Sequence, residues 1–208
     1  MEYEFRLDKM ESKKKSAMFH FSKRLFDIIF AMILLTVTSP IILVTICAVR
    51  FESSGQIIYR QRRVGLYGNH FTIYKIRSMD VNAEASGAKW AEKNDPRITK
   101  VGCFIRKTRI DELPQLWNVL KGEMSMIGPR PERPMFTKEF QALYPNFTQR
   151  LTVKPGLTGW AQINGGYDIT PKEKLKLDLE YIHSMSVRKE ALILCKTVKV
   201  ILNGSGAR

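Results

Sequence analysis

The sequence is poor in the residues that most often announce a function. Its three cysteines, Cys47, Cys103 and Cys195, are far apart and odd in number. They form neither a disulfide framework nor a CxxC pair, so a reduced, cytosolic setting is the expectation. The three histidines, His20, His70 and His183, show no zinc spacing. No Walker A loop and no GxGxxG fingerprint is present, which removes two common nucleotide-binding frameworks. No internal repeat is visible, which excludes a solenoid. Membrane-length apolar sequence occurs once, at Leu25 to Val49, which excludes a polytopic architecture for these residues.

What is plentiful is positive charge. The 208 residues carry a formal net charge of +14. That length fits one domain, or one domain plus a tail, with a sizeable core. The charge calls for an anionic partner: nucleic acid, an anionic membrane surface or a phosphorylated substrate.

The polar stretch 1–22, with its Lys13-Lys14-Lys15 run, reads as a loosely ordered cytosolic lead. The apolar run that follows defines a membrane helix over 23–50. It ends on Arg50 and Phe51 without a small-residue cleavage site, unlike a signal peptide. Pro40 near its middle lacks an N–H and clashes with the carbonyl of Thr36, which predicts a kink or break at Ser39-Pro40. The hydroxyls of Thr36, Thr38 and Ser39 are placed to satisfy the freed backbone groups. Lys23 and Arg24 precede the run, and Arg50, Arg60, Arg62 and Arg63 follow it, so both flanks carry the cytosolic signature. A re-entrant helix and a proline-kinked spanning helix both satisfy these features.

Residues 51–208 read as the soluble-facing domain. Ile57-Ile58-Tyr59 and Phe71-Thr72-Ile73-Tyr74 begin two strands of a hairpin around Leu66-Tyr67-Gly68-Asn69. Among its basic residues, Lys75 and Arg77 are the candidates for facing a phosphate, and a solvated edge accounts for the others. Asp111 and Glu112 stand just before Pro114, which is tolerated only in a first helical turn. The spacing then predicts a helix with Leu113, Leu116, Trp117 and Leu120 on one face and Asp111, Gln115 and Asn118 on the other, stopped by Gly122. Two carboxylates at a helix start are ordinarily a cap, and Pro129-Arg130-Pro131 is ordinarily a stiff turn. Their chemical interest comes from their neighbours. Further on, Glu132 to Tyr144 reads as a helix with Phe136, Phe140 and Leu143 on one side. KPGLTGWAQINGG, from Lys154, reads as turns or as backbone lining a ligand. Thr170-Pro171-Lys172-Glu173 is a capping box. A last helix, 188–202, carries an apolar stripe of Ala191, Leu194, Cys195, Val198, Ile201 and Leu202. That stripe suits a membrane surface or packing on the core.

The ordered set KRLFD, Ser39-Pro40, YRQRRVG, YKIRSM, TRIDELPQLWNVLKGEMSMIGPRP, KPGLTGWAQINGG and KLDLEYI resembles the bacterial sugar transferases, the monotopic phosphoglycosyl transferases, from about Lys23 to Leu202. The resemblance implies a compact, helix-rich α/β domain with a small β-hairpin. A re-entrant helix broken at Ser39-Pro40 and amphipathic interface helices would hold it on the cytosolic face of a bacterial inner membrane. It implies transfer of a sugar-1-phosphate from a UDP-sugar to undecaprenyl phosphate with release of UMP, dependence on Mg²⁺, and a place at the first membrane step of exopolysaccharide, capsule or glycoconjugate assembly. It assigns Asp111 as nucleophile and metal contact. Glu112 is left either to activate the acceptor phosphate or to assist the metal. Pro129, Arg130 and Pro131 are linked to nucleotide-sugar binding. It implies no nucleic-acid partner and is compatible with a homodimer. Glucose, galactose and an N-acetylated sugar all remain open. Two departures stand out: Lys154 where relatives often have arginine, and Gly165-Gly166-Tyr167-Asp168 where others carry an arginine. The rival from another class is a bitopic protein with a basic, non-catalytic domain that binds nucleic acid or anionic lipid. It gives no reason for Asp111-Glu112 to face basic residues.

Overall fold

The computed structural model describes residues 17–85, 87, 92, 95–166 and 169–203. Most of the expected lead, 1–16, therefore lies outside the described residues, whereas 17–22 are already helical. Helix α1 spans Ala17–Glu52, longer at both ends than the apolar run alone predicts. Its 36 residues measure roughly 54 Å at 1.5 Å each. Helical backbone continues through the Ser39-Pro40 pair, where a kink or break was expected, so the chain does not break there. The reason is local: the Thr36 carbonyl, which loses the proline's N–H, accepts the Ser39 hydroxyl at 2.8 Å. The hydroxyls of Thr36 and Thr38 donate to Met32 and Leu34 carbonyls at 2.9 and 2.7 Å.

The rest of the chain grips α1 near both ends. Strands β1 (Ile58–Val64) and β2 (His70–Ile76) form the expected antiparallel hairpin, with Tyr59 opposite Lys75 and Arg63 opposite Phe71. The period of two puts Tyr59, Gln61, Arg63, Ile73 and Lys75 on one face. Helix α2 (Lys100–Lys107), capped by Thr99, packs Ile105 with Val49 of α1 and Ile76 of β2. The chain then turns through Arg109 into a short 3-10 segment, Ile110–Gln115, and helix α3 (Leu116–Lys121), which Gly122 ends in the left-handed region at φ 84°.

The predicted single helix is therefore split, and its faces differ from expectation. Leu116 is buried, but Trp117 is 54% exposed. Gln115 and Asn118 are buried instead. Asn118 donates to the Thr72 carbonyl and to Glu123, each at 2.7 Å, so it fastens α3 to β2. In turn, Arg24 of α1 donates to the Val119 and Leu120 carbonyls at 2.6 and 2.8 Å, satisfying the end of α3.

At the centre lies a second, parallel two-stranded sheet, which sequence patterning did not predict. Strand β3 (Ser125–Ile127) pairs with β4 (Gly156–Thr158), with Ser125 opposite Gly156 and Ile127 opposite Thr158. The supposed turn-rich segment thus supplies a core strand followed by helix α5 (Trp160–Gly165). Its glycines allow backbones to touch. A Cβ on Gly156 would sit 2.0 Å from the Gly128 nitrogen, and one on Gly128 would sit 2.4 Å from the Lys154 carbonyl oxygen. Asp27 of α1, itself buried, accepts from Ser125 Oγ at 3.1 Å and from the Met126 N–H at 3.0 Å. Ala31, Ile73, Leu116, Val119, Met124 and Ile127 share the main core.

Helix α4 (Pro134–Leu143) packs Phe136 and Phe140 as expected, while Leu143 is 63% exposed. Helix α6 (Pro171–Ser184) opens on the capping box, with both reciprocal Thr170–Glu173 bonds present. Helix α7 (Val187–Leu202) turns Glu190 and Ile193 inward. Most of its apolar stripe faces outward: Val198 is 57% exposed and Leu202 80%.

Candidate active site

The hairpin face, the 3-10 segment, the loop before α4 and the start of α6 surround a cavity of about 680 Å³. Among the described residues, ten Lys or Arg side chains line it against five Asp or Glu. That imbalance concentrates much of the chain's positive charge in one concave place.

Asp111 and Glu112 lie side by side in the first turn of the 3-10 segment, both buried. The turn is entered through Arg109 at φ 60°, a left-handed conformation that costs a non-glycine residue of order 1–3 kcal/mol. Nothing in the sequence advertises it, since the residue is not glycine.

The two carboxylates have opposite surroundings. Lys75 Nζ donates to Glu112 Oε1 at 2.7 Å. Arg130 donates to both Glu112 oxygens, the Nη1–Oε2 bond measuring 3.2 Å. Burial alone would raise the Glu112 pKa, but Arg130, Lys75 and Arg109 hold it well below the usual carboxylate range. Asp111 Oδ2 is 4.0 Å from Lys75, and its Oδ1 is buried without a hydrogen-bond partner. Burial pushes the Asp111 carboxyl up to about 6, against the pull of Lys75. Burial also lowers the Lys75 ammonium, with Glu112 opposing.

Of the residues singled out from sequence, Lys75, Asp111, Glu112 and Arg130 converge, and Pro131 lines the same cavity. Arg77 also lines it, but its guanidinium donates to the Ser53 and Ser54 carbonyls, each at 2.8 Å, at the end of α1. Its two terminal nitrogens hold the backbone just after α1. Pro129 lies outside the main cavity and lends its carbonyl to the Gly156 N–H at 3.0 Å.

Sequence reading missed what holds Arg130. Arg150, buried, donates to the Arg130 carbonyl at 2.8 Å and to Asp178 Oδ2 through two nitrogens. Arg63 donates to the Pro131 carbonyl at 2.8 Å, and the Val64 N–H to that of Glu132 at 2.9 Å. Every carbonyl from Pro129 to Glu132 is thereby bonded. The Glu132 side chain pairs with Lys174. Asp178 lies within KLDLEYI, and Glu132 follows Pro-Arg-Pro directly, so the signal was an acidic residue beside each motif.

The sequence model of the family described as bacterial sugar transferase matches residues 18–204. The chain belongs to the bacterial sugar transferases. It is 44% identical over 196 residues to the UDP-N-acetylgalactosamine-undecaprenyl-phosphate N-acetylgalactosaminephosphotransferase of Aeromonas hydrophila, covering 93% of this chain and 46% of that protein. It is 44% identical over 188 residues to the sugar transferase EpsL of Bacillus subtilis (strain 168), covering 88% and 89%. It is 41% identical over 181 residues to the UDP-glucose:undecaprenyl-phosphate glucose-1-phosphate transferase of Escherichia coli (strain K12), covering 85% and 39%. The chain thus spans less than half the length of the Aeromonas and Escherichia relatives, and nearly all of EpsL.

As a sugar transferase, the chain offers a metal only a sparse site. Among the described residues, no group of three or more His, Cys, Asp or Glu could enclose an ion. Magnesium keeps several waters and is held by one or two carboxylates plus substrate phosphates, so a carboxylate such as Asp111 could hold one. The unpartnered Oδ1 of Asp111 is the oxygen that fits such an ion or an incoming phosphorus.

Proposed function

We propose that this sugar transferase moves a sugar-1-phosphate from a UDP-sugar to undecaprenyl phosphate, through an aspartyl intermediate on Asp111. The observation that carries the reading is the buried, unpartnered Oδ1 of Asp111 beside a cavity rich in cations. A diphosphate needs charge neutralisation and in-line positioning more than covalent help. Lys75 and Arg130 supply cations, and the pinned carbonyls on either side of Arg130 keep its fork in place. Magnesium, when bound, offsets the repulsion between the diphosphate and Asp111.

In the first step an Asp111 oxygen attacks the phosphorus that bears the sugar. The bond to the UMP oxygen breaks, and UMP leaves with that electron pair. In the second step a phosphate oxygen of undecaprenyl phosphate attacks the same phosphorus and frees Asp111. A carboxylate nucleophile divides one displacement into two.

The lipid acceptor requires the cavity to lie at a membrane surface. The grip on α1 supports a re-entrant course. Lys23 pairs with Glu190 and Asp27 bonds to β3 at one end, while Glu52 accepts the Val101 N–H and Arg77 holds Ser53 and Ser54 at the other. A domain that holds both ends favours having both on one side, with exposed Val37, Ile41 and Val44 between them in the lipid. The outward stripe of α7 suits the interface plane. The basic flanks make that side cytosolic.

The deciding experiment mixes purified enzyme, Mg²⁺ and a panel of UDP-sugars without the lipid acceptor. One sugar should release UMP in a burst equal to the active sites and add a sugar phosphate to the protein mass. Asp111→Asn should do neither. A burst that appears only with undecaprenyl phosphate would replace the covalent route with direct transfer.

A further inference from the structure

Within one dipeptide, the two carboxylates are used in opposite ways. Both Glu112 oxygens are taken by Lys75 and Arg130, while Asp111 keeps an oxygen without a partner. The cations best placed for a diphosphate are therefore already neutralised, by a residue of the protein itself. Arg97, Arg133 and Lys174 of the cavity are also paired with carboxylates, on Asp95, Glu84 and Glu132, but none of these carboxylates adjoins Asp111 in the chain. Arg77 donates to neutral carbonyls. Arg63 donates to the Pro131 carbonyl and lies 3.9 Å from Glu132.

Resting on the UDP-sugar reading, we propose that Glu112 is an internal counter-ion, which holds Lys75 and Arg130 until the substrate diphosphate displaces it and retakes them when UMP leaves. The exchange is chemically like for like: phosphate oxygens accept the same charge-assisted bonds that the carboxylate accepts. It keeps the resting enzyme from binding anions too tightly. Only interactions stronger in the transition state than in the ground state accelerate the reaction, and competition from Glu112 trims ground-state affinity. It also keeps two half-buried cations paired between turnovers, when they would otherwise stand without a counter-charge. A merely structural Glu112 predicts the reverse outcome, since its loss would loosen the cations and weaken any anion they bind.

The test measures dissociation constants by calorimetry for the full chain in lipid nanodiscs, without added Mg²⁺. The probes are inorganic pyrophosphate, UDP and uridine. Glu112→Gln should bind pyrophosphate about tenfold more tightly than the unmodified protein, because two cations lose their competitor. Uridine, which is uncharged, should bind equally to both. Unchanged or weaker pyrophosphate binding overturns the counter-ion assignment. Equal tightening toward uridine also overturns it, since the pocket would then simply have opened. If Glu112→Gln does not fold, Glu112→Asp takes its place. The shorter carboxylate cannot span both cations, and pyrophosphate should tighten about threefold; no gain overturns the assignment. The nucleotide reading is judged separately. UDP should bind the unmodified protein more tightly than pyrophosphate, and failure there removes the nucleotide while the pyrophosphate comparison still decides the role of Glu112.

Discussion

Substitutions at the buried Arg150–Asp178 pair should separate the stability of this fold from its activity, beginning with Asp178→Asn. Arg150 and Asp178 are each 2% exposed in their side chains, and their bonds measure 3.0 and 2.6 Å. The substitution keeps the volume but leaves the Arg150 guanidinium without its anion. Its nearest other carboxylate oxygen, on Glu132, is 4.0 Å away and already engaged by Lys174. Breaking a buried pair from one side costs about 3–5 kcal/mol, and Asn, which keeps an acceptor, should fall near the low end. For a chain of this size about 3 kcal/mol lowers the melting temperature by roughly 6–12 °C. Burial raises the Asp178 carboxyl above its ordinary range even beside Arg150 and Lys174. Desolvation therefore weighs heavily on the pair, and an apolar replacement of both members should recover most of the loss. Arg150→Met with Asp178→Leu should thus melt near the unmodified protein. It should still release UMP slowly, because the Arg130 carbonyl has lost its donor and Arg130 its fixed position. The readouts are thermal unfolding in nanodiscs and the UMP burst at several UDP-sugar concentrations. An Asp178→Asn protein that melts within about 2 °C of the parent would refute the stability reasoning. A double variant with full activity would refute the link to Arg130.

Three further outcomes are expected. With the Asp111 carboxyl near 6, protons and metal compete for the same oxygens, so Mn²⁺ affinity followed by electron paramagnetic resonance should fall as pH drops through 6 and level off above about 7; affinity flat from pH 5 to 8 would remove Asp111 as a metal contact. Gly156→Ala should destabilise the chain by about 1–3 kcal/mol, since its Cβ would meet the Gly128 nitrogen at 2.0 Å, and denaturant midpoints will measure it; a neutral result would show that β3 and β4 can part cheaply. In a cysteine-free background, Ser22→Cys and Phe51→Cys should both resist an impermeant thiol reagent applied to intact cells and both react after lysis; labelling of one from outside would make α1 a spanning helix.

The hairpin was legible because alternation and a Gly-Asn turn are local signals, and the α6 cap because Thr170 and Glu173 are three residues apart. The central β3–β4 pair was not legible. Its partners lie about thirty residues apart, each strand is three residues long, and its glycines read as turns when they permit close backbone contact. The faces of α3 were misassigned because a buried Asn118 is acceptable only once Thr72 and Glu123 meet its amide. The bonds from Arg77 to the backbone after α1 were not legible either, because Ser53 and Ser54 lie more than twenty residues away in the chain.

By itself the sequence determined which side chains are available for chemistry, because ordered motifs carry family identity and carboxylates, cations and prolines have fixed chemistry. It also determined where a helix long and apolar enough to cross a membrane runs, because the apolar residues are contiguous. Only the tertiary structure decided the division of labour between Asp111 and Glu112. Adjacent in sequence and alike in chemistry, they differ because Lys75 and Arg130, contributed by distant segments, close on one and leave an oxygen of the other free. Charge in a buried site depends on what surrounds it through space, and that is set by packing rather than by neighbours along the chain.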